Sequence, residues 1–546
     1  MTTPPPTSRF LAAWIAPILI TATLAGWALR VVACFVLGPH IDEAESVLAA
    51  RIVAEHGVPM LPSGVLFLQG FTLSYILPLF DWVSDPYDFT ALRLVSALAG
   101  TACIPAAYGL ARAFGASRAV GLLAAVALAG DGLSIEWSAH VRPYAMLQLE
   151  TTLLLTVWLY ALERRALWLN VLFSGLFAVG VFTHLGVVLL LPPLVLLTAM
   201  RHRGALLGER RDLLVTGASL LVPVLVFVVT NTVFGVTTSG SEAIGPSFIG
   251  DHLLALRNVL KPDIDPWTAL FQRSATRDLP PFMIVFSAGI LLMSRSWDQR
   301  TFALLVCYAL PVAVVAVFTT EAHARYLLHV HPMSWIIIGL GFEEMLAIGG
   351  AHRLGWRLFS GVAALALVSH IIDGAYARIV ITNIDRSYPH ALKWLQGQHV
   401  AGEPVLSSMT SVTWFSSIPQ SDFLFLAGPQ GADRTIRYTR LLSDGRKIDY
   451  WSGVPAITST HELCKLLQTN SKAWLVVDDE RLSGGWAYRG AMQDVIVGGT
   501  VVMYEEPETP TVYKVRPAAE WTPKATEACM ALIEPPQPAI PIELAE

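Results

Sequence analysis

Apolar runs long enough to cross a lipid bilayer recur through the first two thirds of this chain, and they restrict it to a polytopic membrane protein. A spanning helix needs ~20 mainly apolar residues. Runs of that order lie at 10–36, 90–112, 118–134, 145–162, 167–184, 185–200, 212–234, 280–294, 301–319, 327–347 and 355–373. Charged residues make up only 14% of the 546, against about 25% in an ordinary soluble protein. The first run is too long for a signal-peptide core and lacks a small-residue cleavage site, so it is expected to remain as the first span. The formal charge of −5 gives no reason to expect a nucleic-acid partner.

One further apolar stretch, 64–80, decides the orientation of all that follows. If it does not cross and the N-terminus is cytoplasmic, the pairs Arg112 and Arg118, Arg164 and Arg165, Arg210 and Arg211, Arg295 and Arg300, and Arg353 and Arg357 all face the cytoplasm. If it crossed, every one of these would switch sides. Short loops rich in Arg and Lys stay inside, so 64–80 is expected to be embedded without crossing, which gives about eleven crossings. The segments HIDEAES (40–46), Trp137 to Tyr144, 235–279 and Glu321 to Arg325 are then extracytoplasmic.

The composition changes after about residue 375. AWLVV (473–477) and VIVGGTVVMYEE (495–506) predict strands, and 388–398 and 460–469 predict helices. The expected fold is therefore mainly α: a helical membrane domain over 1–374, a soluble extracytoplasmic α/β domain over 375–525, and a proline-rich tail over 526–546. Of the five cysteines, only Cys464 and Cys529 share the polar region, where a disulfide is allowed but not required. The rings of Trp414, Trp451, Trp474 and Trp486 in this domain suit a sugar face, although core packing is the commoner use of such residues.

Candidate chemistry clusters at the extracytoplasmic helix ends. Asp42 and Glu43 follow the first span; a carboxylate there can act as a general base toward a hydroxyl or as a metal ligand, or simply begin an amphipathic helix. His40 adjoins them. The loop at 134–150 offers Glu136, His140, Arg142 and Tyr144, and an arginine at that depth needs an anionic partner. His184 sits in FTHLG between two spans, suited either to a phosphate or to a backbone group. Arg325 and Tyr326 enter a late span, with Glu321, His323, His329 and His331 around them. Guanidinium groups bind phosphate bidentately and stay charged.

These residues, in this order and on one face, resemble the GT-C superfamily of glycosyltransferases, in particular the protein O-mannosyltransferase and aminoarabinose-transferase type. The resemblance runs over roughly residues 10–345 and rests on Asp42-Glu43, Arg142-Pro143-Tyr144, FTH at 182–184 and Arg325-Tyr326-Leu327. One departure stands out. Relatives often carry a Lys-Pro-Pro-like element after the first external helix, where this chain has MLPSGVLF (60–67) without a lysine.

The resemblance implies transfer of a sugar from a polyprenyl-phosphate donor to a protein, lipid or polysaccharide acceptor, outside the cytoplasm, with inversion, by a multi-pass protein of the plasma (inner) membrane. Asp42 would be the base, and Glu43 would orient it or join it in holding a divalent cation, which the sequence does not require. Arg142, Tyr144, His184, Arg325 and Tyr326 would bind the donor phosphate. The alternative is a transporter or flippase of lipid-linked sugars. That class needs ionisable residues deep within the spans, whereas charges here concentrate at helix ends, and no internal repeat suggests paired halves.

Overall fold

The computed structural model describes residues 6–38, 41–68, 70–80, 88–164, 166–202, most of 214–229, 281–294, 298–318, 324–348, 388–416, 418, 422–424, 439–442, 444–478, 490–506 and 509–530, with a few single positions besides. His40, Glu321, His323, Trp486, the 235–279 loop, most of the 355–373 run and the end of the tail lie outside them. The chain divides into two compact units.

Unit 1 is helical: α1 (Pro6–Val36), α2 (Ile41–His56), α3 (Phe71–Ile76), α4 (Thr90–Ala113), α5 (Arg118–Gly130), α6 (Gly132–Ser138), α7 (Tyr144–Arg164), α8 (Leu167–Thr183), α9 (Leu191–His202), α10 (Pro281–Met293), α11 (Gln299–Phe318) and α12 (His331–Ile348). Among the described residues α1, α4 and α7 are each long and apolar enough to span a bilayer, and α5 with α6 qualify as one bent pair. Large apolar side chains face outward, including Leu24, Phe35, Val171 and Val285, a surface suited to lipid. The 64–80 stretch forms only α3 and a three-residue 3-10 turn, Leu77–Leu79. At 1.5 Å per residue, α3 covers roughly 9 Å, far short of a crossing.

The span expected at 118–134 is not straight. It bends by 56° between α5 and α6, and the cause lies in two side chains. Asp131 caps α6 by accepting from Ser134 N at 2.7 Å. Arg30, fully buried in α1, donates to Leu128 O at 3.1 Å and Ala129 O at 3.3 Å at the end of α5, and to Ser134 Oγ at 2.9 Å and Ser138 Oγ at 3.2 Å in α6. Carbonyls freed by the break thus find a cation in place of water. Gly100 in α4 lets α6 approach, because a Cβ there would lie 2.0 Å from Ser138 Oγ. Arg30 in α1 and Glu150 in α7 depart from the expectation that charges keep to helix ends, since both are buried inside spans, whereas Arg93, also buried, lies in the first turn of α4 and agrees with it.

Unit 2 combines Asp385–Glu546 with Leu61–Val65. Its strands are β1 (Val405–Ser407), β2 (Asp422–Leu424), β3 (Thr439–Leu441), β4 (Lys447–Asp449), β5 (Ala456–Ile457), β6 (Trp474–Val477), β7 (Thr500–Tyr504) and β8 (Thr511–Val515). Six of them form one sheet in the order β5-β2-β1-β6-β8-β7. The first four run parallel, and β8 and β7 are antiparallel. Helices α13 (Tyr388–Gln398), α14 (Thr460–Thr469), α15 (Ala491–Gly499) and α16 (Pro523–Met530) complete the unit. A capping box between Ser459 and Glu462 starts α14.

Residues 495–499, expected as strand, are helix. The β-branched Val495 and Ile496 favour a strand locally, but Met492, Val495, Ile496 and Gly499 are all buried. That spacing of 3, 4 and 7 is the helical period, and packing overrides propensity. Of the four tryptophans, Trp474 is buried within β6 while Trp414 is 44% exposed.

The segment without the lysine has a role of its own. Within unit 2, Ser63 Oγ donates to Tyr450 O, and Ser63 O accepts from Arg440 Nη1. Gly453 closes against it at φ 72°, where a Cβ would meet Pro62 O at 3.0 Å.

The structure also joins Cys464 of α14 to Cys529 of α16, with Cα atoms 5.8 Å apart. Replacing both cysteines with alanine is expected to cost unit 2 about 2–4 kcal/mol, seen as a lower unfolding midpoint of the full-length protein. Non-reducing peptide mapping of membrane-expressed protein should recover the two half-cystine peptides joined; two free thiols there would contradict the bridge.

Candidate active site

The pair Asp42-Glu43 occupies the first turn of α2, where consecutive side chains point about 100° apart. The two carboxylates therefore face different surroundings.

Glu43 points inward and is fully buried. Its Oε1 accepts from Arg93 Nε at 2.9 Å and Val141 N at 2.7 Å, and its Oε2 from Arg93 Nη2 at 2.7 Å. His140 Nδ1 lies 3.2 Å from Oε2. Arg93 in turn donates to Cys34 O, Leu37 O and Gly38 O at the end of α1. Burial opposes a charge on Glu43, but Arg93 and then His140 outweigh it and hold the carboxyl well below its usual range. Glu43 thus ties α1, α2, α4 and the 139–143 loop together and faces Arg93 rather than Asp42's partners. This differs from the expectation that it assists Asp42 in catalysis. Arg93 was missed in the sequence; an arginine within the apolar run 90–112, a full run away from the loop arginine Arg112, was the available clue.

Asp42 points the other way, with its side chain 25% exposed. Arg142 Nη2 lies 3.7 Å and Arg325 Nη1 3.5 Å from its Oδ2. Residues 42, 45 and 46 share a helical face. Accordingly Arg142 Nη1 also meets Asp42 O at 2.8 Å, Glu45 Oε2 at 3.4 Å and Ser46 Oγ at 3.5 Å. Glu45 and Ser46 were not singled out in the sequence, although their spacing from Asp42 announces the face. Burial disfavours the charge on Arg142, but Asp42, Tyr144 and Glu45 together more than offset it and raise the guanidinium above its ordinary range. The same holds for Arg325, where Tyr144 and Asp42 outweigh burial. Both Nε atoms are buried without a hydrogen-bond partner among the described residues.

Aromatic rings fix the two guanidiniums. Arg325 lies 5.3 Å from the Trp137 ring and 5.4 Å from Tyr326, and Arg142 lies 5.9 Å from Tyr144. Trp137 packs edge-on to Tyr144 at 5.0 Å, and Tyr144 lies 5.3 Å from His184. Helices α7 and α12 begin at Tyr144 and His331, shortly after Arg142 and Arg325, so their positive ends add to the two cations. Asp42, Arg142, Tyr144, His184, Arg325 and Tyr326 are therefore linked through ion pairs and ring contacts at one place, although α2, the 139–143 loop, the start of α7, the residue after α8 and the 3-10 helix Ala324–Leu327 supply them.

His184 divides its two nitrogens. Nδ1 accepts from Gly186 N at 2.9 Å, so the proton resides on Nε2. Burial, with Arg142, His329 and Arg325 nearby, lowers its pKa to about 3. It can donate one neutral hydrogen bond but brings no charge at physiological pH. Among the described residues no group of three or more His, Cys, Asp or Glu side chains is placed to share a metal ion.

No protein-family profile and no curated protein sequence matches this chain. Solved structures do. The archaeal oligosaccharyltransferase AglB from Archaeoglobus fulgidus, in complex with an inhibitory peptide and a dolichol-phosphate, aligns with 93% of this chain and 74% of its own at 14% identity and a TM-score of 0.55. ArnT from Cupriavidus metallidurans, bound to undecaprenyl phosphate, aligns with 94% of this chain and 99% of its own at 12% identity and a TM-score of 0.53. At these identities the likeness establishes the fold: the chain shares the fold of these two proteins.

Two outcomes follow from the geometry. Glu43→Ala leaves Arg93 buried without its carboxylate, a loss of about 3–5 kcal/mol; a lower unfolding temperature in detergent, partly restored by adding Arg93→Met, is expected, and an unchanged one would remove the clamp. Because His184 is neutral down to about pH 3, its imidazole NMR signals should not shift between pH 5 and 8; a titration step there that His184→Gln abolishes would contradict the neutral ring.

Proposed function

We propose that this protein is a glycosyltransferase that moves a sugar from a polyprenyl-phosphate carrier to an acceptor on the extracytoplasmic side of the membrane. The observation that carries the proposal is the meeting of Asp42 with Arg142 and Arg325 at 3.5–3.7 Å. Those separations are too long for tight hydrogen bonds, and although Arg142 Nη1 is engaged by Asp42 O, the Nε–H groups of both arginines have no partner among the described residues and stay available to an anion. The ligands of the two neighbours, dolichol-phosphate and undecaprenyl phosphate, are the class of anion these groups suit.

In this scheme the acceptor's nucleophilic atom attacks the anomeric carbon while its proton passes to Asp42. The bond from that carbon to the phosphate oxygen breaks, and the electron pair leaves on the phosphate. Arg142 and Arg325, with the positive ends of α7 and α12, stabilise that growing charge. A single displacement inverts the anomeric centre. Glu43 acts as a positioning residue by fixing α2 and the loop that carries Arg142. One preorganised donor of this kind contributes about 2.7–4 kcal/mol.

The extracytoplasmic assignment draws on the arginine-rich short loops and on the Cys464–Cys529 disulfide, since structural disulfides persist in oxidising compartments. Arg30 and Arg93 argue against the flippase alternative. Each is held by fixed backbone and side-chain partners, as a staple is, and not as a moving charge would be.

With undecaprenyl-phosphate sugars as donors and cell-envelope extract as acceptor, Asp42→Asn is expected to stop donor consumption while undecaprenyl phosphate still binds. Arg142→Ala and Arg325→Ala should each lower kcat by roughly 10²–10³-fold with the fold retained. Normal turnover by Asp42→Asn would remove the base, and wild-type protein that consumes no donor would remove the enzyme.

A further inference from the structure

His329 lies in the turn between the 3-10 helix Ala324–Leu327 and α12. It is 1% exposed; its ring N–H is directed to the Tyr326 backbone carbonyl, and the other ring nitrogen has no hydrogen-bond partner among the described residues. Its backbone carbonyl accepts from Thr151 Oγ1 at 2.8 Å, and the same hydroxyl lies 3.1 Å from Gln148 O. His329 is thereby set against the stretch of α7 that carries Gln148. Gln148 is fully buried as well: its Oε1 accepts from Ser134 Oγ at 3.1 Å, while its Nε2 has no partner among the described residues. One helical turn earlier stands Tyr144, whose ring is 5.3 Å from His184.

Beside the cluster of Asp42, Arg142 and Arg325 there are thus two buried polar atoms, one ring nitrogen of His329 and Gln148 Nε2, that the described residues leave unsatisfied. Burying such atoms unpaired costs stability, and an apolar side chain at either position would pack at no such cost. Their chemistry differs from that of the arginines. Burial lowers the His329 pKa to about 4, so the ring is neutral and its free nitrogen is an acceptor; Gln148 supplies a neutral donor. A phosphate only accepts hydrogen bonds. A sugar hydroxyl both donates and accepts, which matches this set.

We propose that His329 and Gln148 form the sugar-hydroxyl subsite of the donor pocket and determine which sugar is accepted. This rests on the glycosyltransferase reading above, and it assigns the phosphate and the sugar of one donor to different residues.

The test uses full-length protein in nanodiscs with undecaprenyl phosphate alone and with the same carrier bearing glucose, mannose, galactose or arabinofuranose. His329→Leu is expected to leave the Kd for bare undecaprenyl phosphate within twofold. It should weaken the sugar-bearing carrier that wild type prefers by tenfold or more and flatten the ranking of the four. Gln148→Leu should act in the same direction, His329→Gln should recover part of the discrimination, and the unfolding temperature of His329→Leu should be equal or higher. Unchanged Kd values and ranking in both leucine variants would overturn the proposal and leave His329 as packing alone. Equal weakening of bare and sugar-bearing carriers would also overturn it, by assigning His329 to the phosphate. Wild type that binds bare carrier but gains nothing from any sugar overturns this inference only, whereas wild type that binds neither overturns the glycosyltransferase reading with it.

Discussion

The arrangement of the site depends on one buried ion pair. Glu43 and Arg93 are both inside unit 1, and their charges are tolerated because each is met in full: the carboxylate by two guanidinium N–H groups, a backbone N–H and His140, the guanidinium by that carboxylate and the last carbonyls of α1. A pair of this kind is weak evidence for stability by itself, since desolvation consumes much of the Coulombic gain. Its effect is geometric. It sets the direction in which α2 leaves α1 and the height of the 139–143 loop, and so brings a neighbouring residue from each, Asp42 before Glu43 and Arg142 after Val141, face to face.

Adjacent acids therefore do separate work. The 100° step of a helix sends Glu43 to the interior and Asp42 to the open side, and each takes its own arginine. The same division recurs at the late span, where Arg325 meets Asp42 while His329, one turn on, belongs to a different polar set. Neutral and charged hydrogen-bonding groups stand side by side without competing, because the guanidiniums are fixed over Trp137, Tyr144 and Tyr326 and burial keeps His184 and His329 neutral.

Much of the site was legible in the sequence for a simple reason. In a chain this apolar, ionisable residues at helix ends stand out, and their placement on one face follows from the arginine bias of the short loops. Asp42, Arg142 and Arg325 could be chosen that way. What could not be read was which acid meets which base, because the pairs span 50 to 283 positions and depend on tertiary packing. Arg93 and Arg30 were hidden inside runs counted as lipid-spanning, and the break at Asp131 was hidden with them. In unit 2 the alternation of β-branched residues misled at 495–499, where the buried set repeats at helical spacing. The MLPSGVLF segment seemed only to lack a lysine, yet Leu61–Val65 turns out to be part of unit 2.

Arg30 has a bearing on how the protein is made. Its acceptors at Leu128, Ala129, Ser134 and Ser138 are synthesised about a hundred residues after α1. During biogenesis the first helix must therefore wait in or beside the insertion machinery with a guanidinium that lipid alone cannot solvate. Gly26 O within α1 serves it from the start, and its full set of partners exists only once the broken helix has been made.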